Sequence, residues 1–448
     1  MGRPRVVIVG AGFAGFHTAR KLHRLARDRA EIILVNPDDY LLYLPLLPQV
    51  MAGVLEPRRI TVSLAATLPG VRVLPGTVDD VDLGGGTVSY TEPHGRAARL
   101  DYDRLVLTPG SVNRLLPIPG VAQHAHGLRG LAEALYLRDH ITLQIELAAA
   151  TADAHERRAR ATFVVVGAGY TGTEAAAYGQ LLTDALARTQ PALRERPRWL
   201  LLDTAERVLP DLAPKLSRIA ARVLAQRGVE VLTGTSVAEA TADGVHLTDG
   251  AFVATRSLIW CVGVRPDPLV EGLGLDAVDG RLVVDEYLRV PGHPEVLACG
   301  DAAGVPDFTR PGRLCPMTAQ HAVRQGRLAA HNIAASYGSG RLKPYRHKDL
   351  GFLVDLGMTD AAADPLGIPL SGLPAAAVTR GYHLLALPGN RVRVAADWLL
   401  GAFLRPQLTR LGLVDAAATE LECTSAGQRP RAGARASARA IAADPGPW

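Results

Sequence analysis

Two runs of the form Gly-x-Gly-x-x-Gly each follow a short β-branched segment. Val6-Val7-Ile8-Val9 leads into Gly10, Gly12 and Gly15, and Phe163-Val164-Val165-Val166 leads into Gly167, Gly169 and Gly172. Alone, such a run can be only a turn. Here each is read as ending a buried parallel strand and opening an apolar helix, the setting in which glycines let backbone N–H groups approach a pyrophosphate at a helix N-terminus. Phe13 and Ala14 in the first loop, and Tyr170 and Thr171 in the second, share those positions. Two loops predict two dinucleotides, and two dinucleotides predict electron transfer between them.

A ribose-binding acidic residue is expected at the end of the second strand of each unit. In the second unit that residue is Asp203, whose carboxylate can accept hydrogen bonds from both ribose hydroxyls and would repel a 2′-phosphate. NADH is therefore favoured over NADPH. In the first unit the position holds Asn36, with Asp38 and Asp39 just beyond, and an amide can still bond a ribose. Glu174 follows the second loop within the first helical turn, where a carboxylate also interacts favourably with the helix dipole.

The elements that must carry these residues read as two βαβ units. The first comprises the strand Val6–Val9, a helix over Ala14–Leu25 and a strand over Glu31–Val35. The second comprises Phe163–Val166, a helix from Thr171 and a strand over Trp199–Asp203. A helix over Lys215–Arg227 ends at Gly228 and is followed by strands at Val229–Leu232, Gly244–Leu247 and Leu258–Val262. An apolar strand reaching Thr108 runs into Pro109-Gly110-Ser111, and Glu295–Ala298 with Cys299-Gly300-Asp301 resumes the first fold after an insertion. Beyond Tyr345 come short strands and a helix near Arg391–Leu404, then an Ala/Arg/Gly/Pro-rich tail expected to be disordered.

Composition bounds the rest. With 448 residues, 48% hydrophobic and 21% charged, the chain suits two or three domains with a sizeable core. The formal charge of +5 is mild, and no basic stripe with interleaved aromatics appears, which argues against nucleic acid. Cys261, Cys299, Cys315 and Cys423 have no metal-ligand or C-x-x-C spacing, so neither a metal nor a disulfide framework is expected. The first strand begins near the start of the sequence, without a leader pattern, and no apolar run reaches membrane-spanning length. The expectation is a cytoplasmic protein, soluble or peripheral on the cytoplasmic face of a membrane.

These residues resemble the two-dinucleotide flavoproteins of the pyridine nucleotide oxidoreductase superfamily, and within it the type II (single-subunit, non-proton-pumping) NADH:quinone dehydrogenases, over about residues 5–405. Tyr40-Leu41-Leu42-Tyr43-Leu44-Pro45-Leu46-Leu47-Pro48-Gln49-Val50 is similar to the family's segment near the flavin. Val296–Ala302 resembles its second FAD motif, and Leu258–Arg265, with Gly263, its nicotinamide-side loop. The resemblance implies FAD held by Gly10, Gly12, Phe13, Ala14, Gly15, Asn36, Pro45, Val78, Thr108, Gly110, Asp301, Thr318, Ala319 and Gln320. It implies NADH held by Gly167, Gly169, Tyr170, Thr171, Gly172, Glu174, Asp203 and Gly263.

Glu174 and Gln320 are the catalytic residues that the resemblance implies. Glu174 would position the reactants or relay protons, and Gln320 would bond a flavin or quinone carbonyl. Thr318–Gly326 resembles the family's Ala-Gln helix start, except that Arg324 stands where many members carry a second Gln. His321 reads equally as a proton carrier or as a satisfied helix-surface histidine. Disulfide reductases of the superfamily need a redox cysteine near the first helix, and Leu41–Val50 has none; for sulfide:quinone oxidoreductases, Cys315 lacks a convincing partner.

The expected fold is α/β, with two Rossmann-like dinucleotide-binding domains, the NADH domain inserted into the FAD domain, and a C-terminal interface segment. The expected bounds are 1–155 and 269–344 for the FAD domain and 156–268 for the NADH domain. Residues 345–421 form the interface segment and 422–448 the tail. The expected activity is electron transfer from NADH through FAD to a quinone or other small acceptor. Alternatives are an NADH-dependent reductase of an iron–sulfur carrier and a low-turnover flavin/NADH-binding signalling protein. The C-terminal region, with Trp398 and Phe403 as its main apolar anchors, fits peripheral membrane contact, a homodimer or core packing.

Overall fold

In the computed structural model, residues 3–26, 29–347, 350–404 and 407–421 are described. The expected tail at 422–448, with Cys423, lies outside them. Two parallel sheets organise the chain. The first has six strands in the order Arg289–Val290, His293–Ala298, Arg104–Leu107, Arg5–Val9, Glu31–Asn36, Arg72–Pro75. All neighbours are parallel except the first pair. A strand from beyond residue 290 thus returns to pair with Arg104–Leu107, so a long stretch of chain leaves the sheet and comes back to it.

The intervening chain builds the second sheet, ordered Ala125–Gly127, Ser257–Trp260, Thr162–Val166, Arg198–Asp203, Val229–Thr233 and parallel throughout. Thr162–Val166 is buried at every residue. That is why it reads as a continuous apolar run without alternation: helices cover both faces of a parallel sheet. Phe163 stacks on Trp199 with ring centroids 4.8 Å apart, and the Trp199 Nε1 donates to Thr183 Oγ1 at 3.0 Å.

The first fingerprint helix, Phe13–Ala26, packs along Ala319–Ser336. Their approach is set by small residues: a Cβ on Gly326 would lie 2.2 Å from the Ala14 carbonyl oxygen. Thr18 Oγ1, buried in the seam, donates to Ala14 O and Gly326 O at 2.8 and 3.0 Å.

Beyond residue 350 a three-stranded antiparallel sheet, Leu353–Asp355, Ala361–Ala363 and Leu370–Ser371, precedes two helices, Gly372–Ala386 and Arg391–Phe403. The last helix leaves Val392 82% and Phe403 81% exposed. Of the two expected apolar anchors, Trp398 takes the core-packing alternative. It is half-buried, its Nε1 donates to Gln49 Oε1 at 2.7 Å, and the Arg380 guanidinium sits 5.6 Å from its ring centroid. An indole N–H with a buried acceptor turns inward.

The chain then runs back over the helix Leu131–Ala150. Leu411 and Gly412 donate backbone N–H groups to Asp139, and Arg410 pairs with Glu146 at 2.9 Å. Glu420 bridges His126 on the edge strand of the second sheet, and Leu421 is buried in that sheet's core. Among the described residues, no helix is long and apolar enough to cross a membrane.

Candidate functional site

The two glycine loops are built alike, down to individual hydrogen bonds. Gly10 N donates to Val35 O and Gly167 N to Leu202 O, each at 2.8 Å. Ala11 N donates to Asn36 Oδ1 at 2.8 Å, and Ala168 N to Asp203 Oδ2 at 2.5 Å. The first glycine of each loop has positive φ, +88° for Gly10 and +102° for Gly167, the region that disfavours a side chain. A Cβ on the third glycine would lie 1.9 Å from the carbonyl oxygen of the first, in both loops. A Cβ on the middle glycine, Gly12 or Gly169, would meet nothing within 4 Å. The outer glycines thus close the turn, and the middle one faces open space at a helix N-terminus, where a pyrophosphate fits.

Asn36 and Asp203 therefore have an observed role as well as an expected one: each holds its own glycine loop in shape. Asp203 Oδ1 also accepts from Ala205 N at 2.8 Å. A carboxylate oxygen can accept more than one hydrogen bond, so a ribose remains within its capacity. Asp203→Ala is expected to lower the NADH-over-NADPH preference by about tenfold, the loss of one charge-assisted hydrogen bond of about 1.5 kcal/mol. Steady-state kinetics with both nucleotides check this, and an unaltered ratio counts against the ribose role.

Around the first loop, the structure gathers residues distant in sequence. Thr108 Oγ1 donates to Val9 O at 2.6 Å and Gly10 O at 3.0 Å, so its hydroxyl braces the loop. Gly110 has φ +86° and no neighbour to a built Cβ. Gly300, at φ +75°, brings the second FAD-like segment against the helix start: its Cβ would meet those of Ala14 at 3.1 Å and Ala322 at 3.8 Å. Asp301 Oδ2 accepts from Ser111 Oγ at 2.5 Å and pairs with Arg129 at 3.5 Å. Gly76 N donates to Asn36 O at 3.0 Å, and Val78 follows in the strand Thr77–Asp82. Pro45 opens the short turn Leu44–Leu46, and the neighbouring Tyr43 ring meets Phe13 edge-on at 5.7 Å.

Tyr170, in the position of the second loop that matches Phe13, stacks on Phe352 at 5.8 Å. Thr171 is exposed. Gly263, at φ +85°, closes the strand Ser257–Trp260 beside the second loop, where Gly167 and Gly172 both approach Cys261. Burial pushes the thiols of Cys261 and Cys299 up to about 12, which makes neither a nucleophile. Cys261, Cys299 and Cys315 form no disulfide among the described residues, and Cys315 Sγ donates to Pro306 O at 3.6 Å. Among the described residues no cluster of His, Cys, Asp and Glu could hold a metal ion.

The helix Ala319–Ser336 starts at Thr318, whose side chain accepts from His321 N at 3.4 Å. Gln320 is turned toward the following chain: its Oε1 accepts from His347 Nε2 and from Leu350 N, both at 2.9 Å. Arg324 Nη1 donates to Gln320 O at 3.0 Å. The glutamine that reaches the FAD-like segment is the next residue, Gln325, whose Oε1 accepts from Gly300 N at 2.8 Å. His321 lies 2% exposed with Nδ1 2.8 Å from Tyr345 Oη, so it is a buried, satisfied histidine rather than a surface one.

Glu174 lies half-buried in the second fingerprint helix, Tyr170–Ala187, and its Oε1 accepts from Asp355 N at 2.8 Å. Desolvation of the carboxyl, with the Asp355 charge adding, pushes its proton affinity well above the ordinary carboxylate range. Perturbed carboxyls in such clefts are candidates for chemistry. Sequence reasoning assigned no site role to Gln49, Ser111, Arg129, Tyr178, Gln325 or Asp355. The available signal was the lone carboxylate of Asp355 inside the apolar run Phe352-Leu353-Val354, since a charge in such a run needs buried partners.

This duplicated architecture defines an oxidoreductase: the chain belongs to the pyridine nucleotide-disulphide oxidoreductase family, whose profile matches residues 4–326. It is 32% identical over 421 residues to the type II NADH:quinone oxidoreductase NdhA of Mycobacterium tuberculosis, covering 89% of this chain and 87% of that one. It is 30% identical over 418 residues to the demethylphylloquinone reductase NdbB of Synechocystis, covering 90% and 98%. Its fold matches NDH2 from Plasmodium falciparum in complex with NADH, with a TM-score of 0.85 at 17% identity, over 91% of this chain and all of that one. The architecture is that of NAD(P)H-dependent flavin oxidoreductases related to the type II NADH dehydrogenases.

Proposed function

We propose that the protein is an FAD-dependent NADH dehydrogenase that passes electrons to a quinone-like acceptor. The observation that carries this reading is the pair of matched glycine loops in one chain, each with its middle glycine open to a phosphate. The first loop, with Asn36, Asp301 and the helix start Thr318–Gln320, holds FAD. The second, with Asp203 and Gly263, holds NADH. Bound there, flavin supplies the two-electron chemistry that links a nicotinamide donor to the acceptor. The protein's part is to fix both ligands, keep Glu174 protonated at the second loop and exclude water.

The quinone reading is supported by the relatives that carry it in their names and by the surface beside the last helix. Leu399, Leu400 and Phe403 are exposed toward the end of that helix, and Arg391 at its start lies with Arg24 and Arg327 close enough to Arg20 for repulsion to add to the desolvation that lowers the proton affinity of Arg20. A helix that starts at a cationic cluster and exposes apolar side chains toward its end fits peripheral contact with an anionic bilayer, the phase in which a quinone dissolves.

The experiment compares NADH oxidation with a soluble ubiquinone or menaquinone analogue, with a ferredoxin and with no acceptor, in the presence of anionic vesicles. The quinone analogue is expected to raise turnover well above the other two, and the protein to sediment with the vesicles. Acceleration by ferredoxin alone overturns the quinone assignment, and a flavin that NADH does not bleach overturns the enzyme assignment.

A further inference from the structure

Glu174 meets the strand Leu353–Asp355 in a cluster to which six elements contribute. Its Oε1 accepts the backbone N–H of Asp355 at 2.8 Å. The Asp355 carboxylate, 5% exposed, accepts from Gln49 Nε2 at 3.1 Å and from Gly357 N at 2.8 Å, and Tyr178 hydrogen-bonds to it from the same helix as Glu174. Gln49, 2% exposed, is held from its other end by the Trp398 Nε1. The charged groups facing the pair are Arg380, from the helix Gly372–Ala386, and Arg227, from the helix Pro214–Arg227, which itself pairs with Asp360 at 2.9 Å.

The two carboxyls are thus unequally served. Burial raises the proton affinity of both carboxyls, but Asp355 has three donors and two guanidinium groups to oppose it, whereas Glu174 has one donor and faces an anion. Each donor and each cation favours the charged form, and a neighbouring anion favours the neutral one. Carboxyl pairs whose surroundings push them apart divide into a charged member and a protonated member.

We propose that Asp355 is a positioning residue for Glu174, the two forming a split pair in which Asp355 carries the charge and Glu174 keeps one proton on Oε2. The inference rests on the reading of Glu174 as a site residue, but not on which acceptor the enzyme uses. NADH + H⁺ + quinone giving NAD⁺ + quinol takes up one proton per two electrons, and a carboxyl that stays protonated at neutral pH can hold it at the second loop.

Infrared spectroscopy of the holoenzyme across a pH series tests this. Wild type is expected to show the carbonyl band of a protonated carboxyl at neutral pH, and Glu174→Gln, which keeps the shape of the neutral acid, to lose it. Asp355→Asn retains the backbone donor and removes only the charge. In that variant the Glu174 band is expected to titrate at a midpoint about one pH unit or more lower, the effect of removing an adjacent like charge. Turnover should fall as pH rises through the same midpoint, so its alkaline limb should move down with it.

Folding carries the same signature. The folded chain keeps this proton at pH values where the unfolded chain has released it, so stability falls as pH rises through the folded-state midpoint. Glu174→Gln should remove that fall. A band that survives Glu174→Gln puts the proton elsewhere and overturns the proposal, even if Asp355→Asn fails to fold. An unmoved midpoint in folded Asp355→Asn overturns it too. Failure of quinone to accept electrons would leave the band and its shift in place, so the two readings fail separately.

Discussion

Gly172→Val is expected to give a yellow protein whose flavin NADH no longer bleaches at a normal rate. A Cβ at this position would stand 1.9 Å from the Gly167 carbonyl oxygen and 3.2 Å from Cys261 Cβ. Neither neighbour is the end of a flexible side chain, so the loop itself has to move. A displacement on the order of 1 Å at a binding loop costs roughly a hundredfold in rate, because the reacting atoms leave their near-attack geometry. Rapid-mixing absorbance at the flavin band measures it. Bound flavin in the same sample serves as the control for folding, and bleaching at the wild-type rate would sink the assignment of this loop to the nicotinamide dinucleotide.

Gly15→Val is the mirror experiment and should give the opposite loss. Its Cβ would lie 1.9 Å from the Gly10 carbonyl oxygen and 2.6 Å from Thr108 Oγ1. The purified chain is expected to be colourless, with activity below about one hundredth of wild type. Overpacking of this kind also destabilises by about 1–3 kcal/mol, so a lowered melting temperature accompanies the loss. Full flavin content would show that the first loop does not hold the prosthetic group. Each substitution thus tests one cradle and leaves the other as its internal standard.

Both loops were legible because everything that makes them is local or nearly so. A β-branched run, a glycine turn and a small-residue helix fall within about twenty residues, and Asn36 and Asp203 follow at the next strand end. The helix Gly372–Ala386 was not foreseen. It opens with Gly372-Leu373-Pro374 and carries small residues that pack on the preceding sheet, so it lacks a polar–apolar stripe. Side-chain meetings across the chain were also hidden. Gln49 and Asp355 are 306 positions apart, and Trp398 reaches Gln49 across 349. No periodicity links such residues; only the packing of the C-terminal sheet and helices against the second fingerprint helix brings them together. Arg324 attracted attention for what it replaces, while Gln325 makes the contact, a one-residue difference that the helix phase decides.

The segment that crosses Leu131–Ala150 seats Leu421 in the second core, while the Asn390 side chain bonds to Arg58 O and Thr61 O at the start of the last helix. Held at its start by Asn390 and further along by the pair of Arg59 with Asp397 at 2.7 Å, Arg391–Phe403 leaves its greasy side chains Val392, Leu399, Leu400 and Phe403 on the outside. Shortening the chain ahead of Leu421 would remove the bridge of Glu420 to His126 and bare the edge of Ala125–Gly127, leaving an open sheet edge on a molecule that already exposes apolar side chains, a combination that invites self-association.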